Sequence, residues 1–277
     1  MREWVTFLVL VALNIVLFSI PTPQGLTVTF FDVGQGDSIL IEGPTGVQVL
    51  VDAGADTSAL RGLGAALPFW DRTLDAVIAT HPDQDHIGGM ADVLERYDVG
   101  RIIDPGVEKG TRAWEVTLDA IRAEVEAGAS RTTARAGQRL DLGGGAYADI
   151  LYPTKDVSRV KDTNAGSVVM RVVYGETSVM LTGDAPSKVE QELFLKWGYG
   201  LDSDVLKAGH HGSKTSSLPD FVDSVSPEYV VFSRGCDNRY GHPAPSVVSY
   251  FESLNVKILD TCEDGTVTFS SDGLSFR

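Results

Sequence analysis

The chain has 277 residues, of which 43% are apolar, a composition that allows a large buried core and excludes a disordered protein. The formal net charge of −15 argues against a basic nucleic-acid clamp, because neutralising phosphates normally requires lysine and arginine. The two cysteines, Cys236 and Cys262, permit at most one disulfide. No Cys-x-x-Cys pair is present, so cysteine gives no indication of a metal site.

The first predicted element is an uncharged apolar run over residues 4–20. As a helix it reaches about 25 Å, enough to cross a thin bilayer. A cleaved signal peptide is the alternative, although FSIPTPQG is a poor cleavage sequence. Arg2 and the amino terminus precede the run, which predicts that the following domain lies outside the cytoplasm. We therefore expect a transmembrane anchor, or the signal sequence of a secreted protein, over residues 1–24, and one compact domain over residues 25–277.

The remaining chain alternates short strands and helices without internal repeats. LTVTFFDV, SILIE and VQVLVD, which begin at Leu26, Ser38 and Val47, are β-branched runs separated by glycine-rich turns and indicate an antiparallel meander. Helical periodicity or start signals then predict helices over residues 90–97, 114–127 and 245–254, from Pro186, and near Phe221. Further strands are predicted over residues 75–80, 147–152, 167–173, 177–181, 204–209, 229–233, 256–260 and 266–270.

All five histidines lie in three short clusters. His81 and His86 belong to HPDQDHIGG, His210 and His211 to GHHGSK, and His242 to NRYGHP. Histidines used as filler would be scattered along the chain. The first two clusters directly follow predicted strands, and so does the Gly-Asp step of TSVMLTGD. Strand ends on a rigid sheet can direct several side chains to one point. The pattern therefore predicts a metal-dependent hydrolase with a single site.

The spacing in HPDQDH predicts two cation positions. His81 and Asp83 are two residues apart and can grip one cation together, while Asp85 and His86 lie past the turn and reach a second one. Two cations about 4 Å apart polarise a phosphoryl or carbonyl oxygen and activate water as a nucleophile. An exposed polar turn with chance histidines is the alternative, which four ligand-type residues among six disfavour.

Two later segments can complete such a site. Asp184 is a natural bridging carboxylate, since Gly183 leaves room for close approach; alternatively it caps the helix that begins near Pro186. Adjacent His210 and His211 point in different directions, so one can bind metal while the other faces substrate, or the pair is structural. The Ser-Lys-Thr run that follows them suits an anionic oxygen.

HPDQDHIGG, TGD, DVLKAGHHGSKTSS and NRYGHP, in this order, resemble the metallo-β-lactamase fold, and more narrowly the hydrolase domain of the ComEC family of DNA-uptake proteins. FFDVGQGDSILIE and VLVDAG resemble the opening strands of that domain. The resemblance implies an α/β (α+β) fold, an αββα sandwich of two facing sheets with helices outside. It also implies a two-metal hydrolytic site at one edge of the sandwich.

The same resemblance implies roles for individual residues. One metal would be held by His81 and Asp83, and the other by Asp85 and His86, with Asp184 between them. The full set of expected metal ligands is His81, Asp83, Asp85, His86, Asp184, His210 and His211, with either histidine of the adjacent pair completing the second metal. The expected catalytic residues are Asp85, Asp184, His242 and Lys214; the expected substrate contacts are Ser213, Asn238, Tyr240 and Asn164; and Asp52 and Asp37 would be outer carboxylates that orient the ligands.

Two departures from the wider fold affect the expected cofactor. Asp83 stands where a histidine is usual, and its harder oxygen favours manganese or magnesium relative to zinc. No histidine lies between Ile87 and Gly209, so Asn164 or water would fill that ligand position. We therefore expect two divalent ions, manganese or zinc, with magnesium as a further option.

ComEC proteins carry a polytopic membrane channel, whereas this chain has one short apolar segment, so a separate channel protein is an expected partner. The leading prediction is a membrane-tethered phosphodiesterase or nuclease acting on single-stranded DNA or another phosphodiester. Alternatives are a hydrolase of a small ester, lactone or cell-envelope phosphodiester, and a non-catalytic metal-binding uptake partner. Arg234, Arg239 and Lys214 would form a local positive strip for an anionic substrate.

Overall fold

The computed structural model describes residues 25–277. The predicted anchor over residues 1–24 lies outside the described residues. Within residues 25–277, no helix combines the length and the apolar character needed to cross a membrane.

The first of two seven-stranded sheets carries the N-terminal half of the chain. Its β14-β1-β2-β3 portion is antiparallel, so the predicted opening meander is confirmed, and its β3-β4-β5-β6 portion is parallel. In spatial order the strands are β14 (Val267–Ser271), β1 (Leu26–Phe30), β2 (Ile39–Glu42), β3 (Gln48–Val51), β4 (Thr73–Ile78), β5 (Asp98–Asp104) and β6 (Ser130–Thr133).

The second sheet carries the C-terminal half. It is antiparallel from β7 to β10 and parallel from β10 to β13. In spatial order its strands are β13 (Lys257–Asp260), β12 (Tyr229–Phe232), β11 (Val205–Lys207), β10 (Thr177–Leu181), β9 (Val169–Tyr174), β8 (Ala146–Tyr152) and β7 (Arg139–Gly143).

Helices cover the outer faces of both sheets. On the first sheet they are α1 (Ser58–Ala66), α2 (Gln84–Ile87), α3 (Met90–Arg96) and α4 (Arg112–Ala127). On the second they are α5 (Ser187–Trp197), α6 (Pro219–Val225), α7 (Pro245–Ser253) and the short α8 (Thr261–Asp264). Single 3-10 turns occur at Thr163–Gly166 and Gly198–Leu201, and Gly209–Gly212 forms a turn with left-handed residues.

Alternation along the strands builds three apolar layers. On β2, Ile39 and Ile41 face the second sheet, while Leu40 faces the helices of the first sheet. A third layer packs α5, α6 and α7 on the outer face of the second sheet, where Phe221 and Phe251 are fully buried. Each such apolar side chain contributes about 1.5–3 kcal/mol on burial. The predicted αββα sandwich is confirmed for the described residues.

The parallel portions of the sheets set the position of the site. The polar segments that follow strands β4, β10 and β11 contact one another, so these three strands end at the same edge of the sandwich. These segments contain His81, Asp184 and the pair His210 and His211.

Candidate metal centre

The structure brings the predicted ligands from three strand ends into one buried cluster. His86 Nε2 lies 3.2 Å from Asp184 Oδ1, and His211 Nε2 lies 3.4 Å from Asp184 Oδ2. The side chains of His81, His86, Asp184 and His211 are at most 3% exposed. Polar groups buried to this extent are costly unless they are paired with one another or with a bound ion.

Local backbone conformation directs these side chains. His210 and His211 both adopt the left-handed region, with φ of 50° and 56°, so a strained turn presents two consecutive rings to the site. Gly183 also has positive φ, 51°, and a Cβ there would lie only 3.1 Å from the Cβ of Thr80. The close approach expected from this glycine is confirmed, since it lets Asp184 reach the end of β4.

A hydrogen-bonded chain orients the two rings of the first cluster. Asp52 is fully buried and accepts hydrogen bonds from the backbone N–H and the hydroxyl of Thr80, both at 2.7 Å. Thr80 Oγ1 lies 3.0 Å from His81 Nδ1, and His86 Nδ1 donates to Asp52 Oδ2 at 2.7 Å. Both Nδ1 atoms are therefore engaged on the outer side, which leaves each Nε2 facing the interior of the site, the usual arrangement of metal-binding histidines.

His211 is oriented in the same way from the opposite sheet. Its Nδ1 lies 2.7 Å from the carbonyl oxygen of Ser233 and must donate to it, so Nε2 carries the lone pair or a second proton. The Nε2 atoms of His81, His86 and His211, together with Asp184 Oδ1, are buried without a hydrogen-bond partner in the described chain. Three orphaned imidazole nitrogens around a carboxylate fit divalent cations.

The ligand-type groups around Asp184 can be described as two sets, one that includes Asp85 and one that includes Asp83. In one set, His211 Nε2 lies 3.4 Å from Asp85 Oδ2, and His86 completes the group. The side chains of Asp184 and His211 are almost fully buried, so solvent does not reach these two members of the set. It contains Asp85 and His86 of the predicted second position, and His211 is the histidine of the adjacent pair that lies beside Asp85.

The other set is looser. Distances from Asp184 Oδ2 are 3.6 Å to His210 Nε2 and 3.9 Å to His81 Nε2, and His81 Nε2 lies 4.0 Å from Asp83 Oδ1. His210 and His81 thus approach the same oxygen of Asp184, so His210 is a candidate for the ligand position that no histidine between Ile87 and Gly209 can fill. Asn164 Nδ2 is 3.5 Å from His210 Nδ1, so it contacts this ring from behind and is placed as a neighbour of the site.

Asp83 has competing partners that the sequence reading did not identify. Lys109 Nζ lies 2.8 Å from Asp83 Oδ1, and the hydroxyl of Thr163 donates to the same oxygen. The Lys109 and Asp83 side chains are 33% and 25% exposed. The Lys109 ammonium group weakens cation binding at the position near His81 and Asp83, because its positive charge offsets the negative charge of Asp83.

Asp37 lies behind the histidines and contacts a buried lysine. Its Oδ2 is 2.7 Å from Lys207 Nζ, and its carboxylate lies 3.5 Å from His211 Nδ1 and 3.8 Å from His86 Nδ1. The donor atoms of Asp37, His86, Asp184 and His211 all lie within 4.8 Å of one another. A cation bound by Asp37 would meet the outer nitrogens and an ammonium, so we place the cations on the Nε2 side instead.

Lys207 is the main residue that the sequence reading missed. It is fully buried, donates to the carbonyl oxygen of Gly183 at 2.9 Å and lies 3.6 Å from Asp184 Oδ1. Burial by itself would lower the pKa of its ammonium group, but the carboxylates of Asp37 and Asp184 outweigh this and raise that pKa. Lys207 therefore carries a fixed positive charge beneath the site.

Proton affinities within the cluster respond to the buried charges. Burial lowers the pKa of His81 to about 3, and the neighbouring His86 adds to this shift. For His86 and His211, burial opposes protonation, but Asp184 outweighs it and raises each pKa well above its usual value. Burial would raise the pKa of Asp184, yet these two rings hold it well below the usual range. Cations in the cluster would replace those protons, so metal binding releases protons.

A loop after β12 covers one side of the cluster. His242 lies 5.5 Å from the His210 ring, between centroids, and stacks with the exposed Tyr240 at 5.8 Å. Burial lowers the pKa of His242, and the nearby His210 and His211 lower it further, so its ring is neutral at neutral pH. The structure therefore places His242 beside His210, and Tyr240 beside His242.

Asn238 requires a correction. Its side-chain amide donates to the carbonyl oxygens of Gly235 and His242, and its Oδ1 accepts from the backbone N–H of His242. Because all these bonds stay within one loop, Asn238 shapes the loop that carries His242 and does not present its amide to substrate. A disulfide between Cys236 and Cys262, whose Cα atoms are 5.0 Å apart, ties the same loop to α8.

The expected positive strip of Arg234, Arg239 and Lys214 loses one of its charges. Arg234 Nε lies 2.7 Å from Asp260 Oδ2, which neutralises it. Lys214 and Arg239 are at least partly exposed, whereas Ser213 is buried and its hydroxyl lies 2.9 Å from Thr215 Oγ1. Of the three residues in that strip, Lys214 and Arg239 thus remain as exposed, unneutralised cations.

Comparison with known proteins supports this reading of the sequence motifs. The sequence profile of the Metallo-beta-lactamase superfamily matches residues 31–235. Competence protein ComA of Neisseria gonorrhoeae is 35% identical over 243 residues, which cover 87% of this chain and 32% of that protein. ComE operon protein 3 of Bacillus subtilis strain 168 is 30% identical over 259 residues, with 87% and 32% covered. This chain spans about a third of the length of these curated relatives.

Among solved structures, CmlA, a diiron beta-hydroxylase from Streptomyces venezuelae, superimposes with a TM-score of 0.57 at 17% identity, covering 91% of this chain and 55% of CmlA. At that identity the likeness concerns the fold alone. The resemblance to the ComEC-type hydrolase domain, drawn from HPDQDHIGG, TGD and DVLKAGHHGSKTSS, is confirmed by the competence relatives.

Proposed function

Because the chain belongs to the metallo-beta-lactamase superfamily, we propose that it is a membrane-tethered, metal-dependent phosphodiesterase that cleaves single-stranded DNA outside the cytoplasm. One observation carries the hydrolytic part of this proposal. The Nε2 atoms of His81, His86 and His211 converge on Asp184, buried and without hydrogen-bond partners in the described residues. Without a cation, protonated His86 and His211 pair with Asp184; divalent cations would replace those protons and satisfy the same buried atoms.

The chain's own residues prepare the site for hydrolysis. Divalent cations held there would supply Lewis acidity that activates water and a phosphoryl oxygen. Asp52 fixes the ring of His86 through its Nδ1, and Ser233 fixes that of His211, so both Nε2 atoms stay aimed at the interior. The neutral ring of His242 lies 5.5 Å from that of His210 and is placed to contact a substrate held at the cations.

The surroundings of the site favour a single-stranded nucleic acid. Tyr240 is 55% exposed, its ring stacks on His242, and the guanidinium of Arg239 lies 5.2 Å from the Tyr240 centroid. Exposed aromatic rings with adjacent cations suit stacking of unpaired bases beside phosphates, worth about 1–3 kcal/mol per stacked base. The net charge of −15 opposes long-range attraction, so affinity would depend on cations and these short contacts.

The setting of the proposed activity follows from the relatives and from the N-terminus. One curated relative is named a competence protein and the other a ComE operon protein, which supports DNA as the proposed substrate and a separately encoded channel as the proposed partner. The uncharged run over residues 4–20 supports a tether, with secretion as the alternative. The Cys236–Cys262 disulfide supports a location outside the cytoplasm, since disulfides persist in oxidising compartments.

The proposal is tested with the purified chain, manganese and two substrates. A labelled single-stranded oligonucleotide and bis(p-nitrophenyl) phosphate are incubated with the protein in Mn²⁺ or in EDTA. We expect cleavage of the oligonucleotide in Mn²⁺ only. Tyr240→Ala should weaken turnover of the oligonucleotide while leaving turnover of the chromogenic diester nearly unchanged, since only DNA has bases to stack. His242→Ala should reduce cleavage far more than it reduces bound manganese.

Turnover of a lactone or a small phosphodiester with the oligonucleotide left intact would overturn the DNA assignment and support the small-substrate hydrolase. Tight manganese binding without turnover of any of these substrates would instead support a non-catalytic uptake partner. Greater activation by zinc than by manganese would contradict the preference expected from Asp83.

A further inference from the structure

Two exposed aromatic side chains lie at the edge of the sandwich farthest from the metal centre. Phe69 is 79% and Trp70 is 54% exposed, and their ring centroids are 4.7 Å apart. They occupy the loop between α1 and the start of β4, whereas His81 follows the end of β4. From Thr73 to His81 the chain covers roughly 25 Å at about 3.3 Å per residue. The aromatic pair and the site therefore occupy opposite edges.

The chain enters the domain at the same edge as this aromatic pair. Strand β1 begins at Leu26, and its Thr27 pairs with Glu42 at the end of β2. Glu42 pairs in turn with Gln48 at the start of β3, whose Nε2 donates to Asp71 Oδ2 at 3.0 Å. Asp71 directly follows the aromatic pair in sequence. Three strand spacings of about 4.8 Å thus separate β1 from β4, about 14 Å in total, and Phe69 and Trp70 lie in the loop that leads into β4 at this edge.

A third apolar side chain lies beside the entry point. Leu274 is 72% exposed and follows the end of β14, where Ser271 pairs with Leu26. Single exposed apolar residues are ordinary on protein surfaces. Three large ones at one edge, together with the entry of the chain, call for a common explanation.

The short stretch of chain between the apolar run and the domain indicates what contacts this edge. The uncharged run ends at residue 20, and the described domain begins at Gly25, so the two are at most about 18 Å apart even when fully extended. We propose that Phe69, Trp70 and Leu274 dock this edge onto the headgroup region of the bilayer that holds residues 4–20. The metal centre then faces away from the membrane. This inference rests on the proposed tether and is independent of the hydrolase activity.

The docked lipid surface is zwitterionic. Acidic Glu42 and Asp71 lie along this edge, exposed Arg72 follows Asp71, and Arg277 is paired with Asp272 at 3.1 Å, so carboxylates outnumber guanidinium groups in this set. These carboxylates would repel anionic headgroups, whereas aromatic rings settle among headgroups of any charge. Contact of the edge with lipid should therefore be stronger for phosphatidylcholine than for phosphatidylglycerol.

The experiment uses the full chain in phosphatidylcholine nanodiscs, with the photo-crosslinker p-benzoylphenylalanine replacing Trp70 in one sample and Tyr240 in another. The two positions are matched controls, being 54% and 55% exposed at opposite edges. After irradiation, mass spectrometry should find lipid adducts at position 70 and at least tenfold fewer at position 240. Half replacement of the lipid by phosphatidylglycerol should lower the yield at position 70.

Equal yields at both positions, or a higher yield at position 240, would overturn the docking proposal although the chain remains in the disc. A higher yield with phosphatidylglycerol would overturn the zwitterionic preference. Loss of the chain from the disc would overturn the tether and the docking with it. Oligonucleotide cleavage by the unlabelled chain in the same discs is read separately, so failure of the hydrolase and failure of the docking are distinguishable.

Discussion

Replacing Lys207 by methionine should destabilise the protein strongly in the absence of metal. Methionine keeps most of the length of the side chain and removes its charge, so Asp37 at 2.7 Å and Asp184 at 3.6 Å lose their buried counter-ion. Removing one partner from a buried, hydrogen-bonded charge pair costs about 3–5 kcal/mol. Against a typical unfolding free energy of about 5–15 kcal/mol, this is a large share.

Urea unfolding followed by circular dichroism in EDTA measures this loss. Lys214→Met is the matched control, because Lys214 is an exposed lysine seven residues away and its loss should change the free energy of unfolding by less than about 0.5 kcal/mol. The double variant Lys207→Met/Asp37→Asn should recover part of the stability, since it removes one of the two uncompensated carboxylates. Manganese should narrow the gap between Lys207→Met and the wild type. A loss below about 1 kcal/mol for Lys207→Met in EDTA would refute this electrostatic reasoning.

Four further changes test other parts of the structure. Asp184→Asn should keep the fold and lower metal-dependent turnover by orders of magnitude; near-normal turnover would return Asp184 to a helix-capping role. Lys109→Met should strengthen Mn²⁺ binding at the looser position by up to about fivefold, measured by electron paramagnetic resonance titration, and unchanged or weaker binding would contradict the competition. Replacing Cys236 and Cys262 by serine opens a loop with a sequence separation of 26 and should cost about 3.5 kcal/mol, seen as a lower melting temperature by calorimetry; an unchanged temperature under oxidising conditions would argue against the bond. Burial raises the pKa of Glu190 to about 7, so its folded form binds the proton more tightly and the wild type should lose stability relative to Glu190→Gln as pH rises from about 4.5 to 7; a pH-independent difference in urea midpoint would contradict this.

The buried strands and the convergence of the histidine clusters could be predicted from the sequence. The apolar run at Thr177–Leu181 is buried throughout and matches the predicted strand, because a strand covered on both faces reads as a continuous hydrophobic run. The polar segments that follow β4, β10 and β11 were recognisable since each interrupts such a run abruptly. These two signals predicted a single site at the strand ends, whereas the αββα sandwich was implied by the resemblance that HPDQDHIGG, TGD and DVLKAGHHGSKTSS carry.

Several elements of the first half were missed for physical reasons. Strand β6, SRTT, is polar and mostly exposed, so it shows no hydrophobic alternation. Strand β5 contains Gly100 and Arg101 among its apolar residues, which masks its character. Helix α1 includes two glycines and has no acidic residue in its first turn or basic residue in its last turn, which removes the usual boundary signals.

The contacts that tune the site depend on tertiary structure. Lys109 approaches Asp83 from a loop 26 residues later in the chain, and nothing in either segment indicates that the two side chains meet. Lys207 did leave a signal, because a lysine inside the three-residue buried strand β11 requires a buried partner. The sequence left the roles of His210 and His211 open, since their assignment depends on two consecutive left-handed residues.

The most direct test of the proposed metal centre is the manganese anomalous difference map of a crystal grown with Mn²⁺. We expect two peaks about 4 Å apart on the Nε2 side of the histidines, one among Asp85, His86 and His211 and a weaker one near His81 and His210, with Asp184 between them. A peak beside Asp37 on the Nδ1 side, or no peak within bonding distance of Asp184, would contradict it.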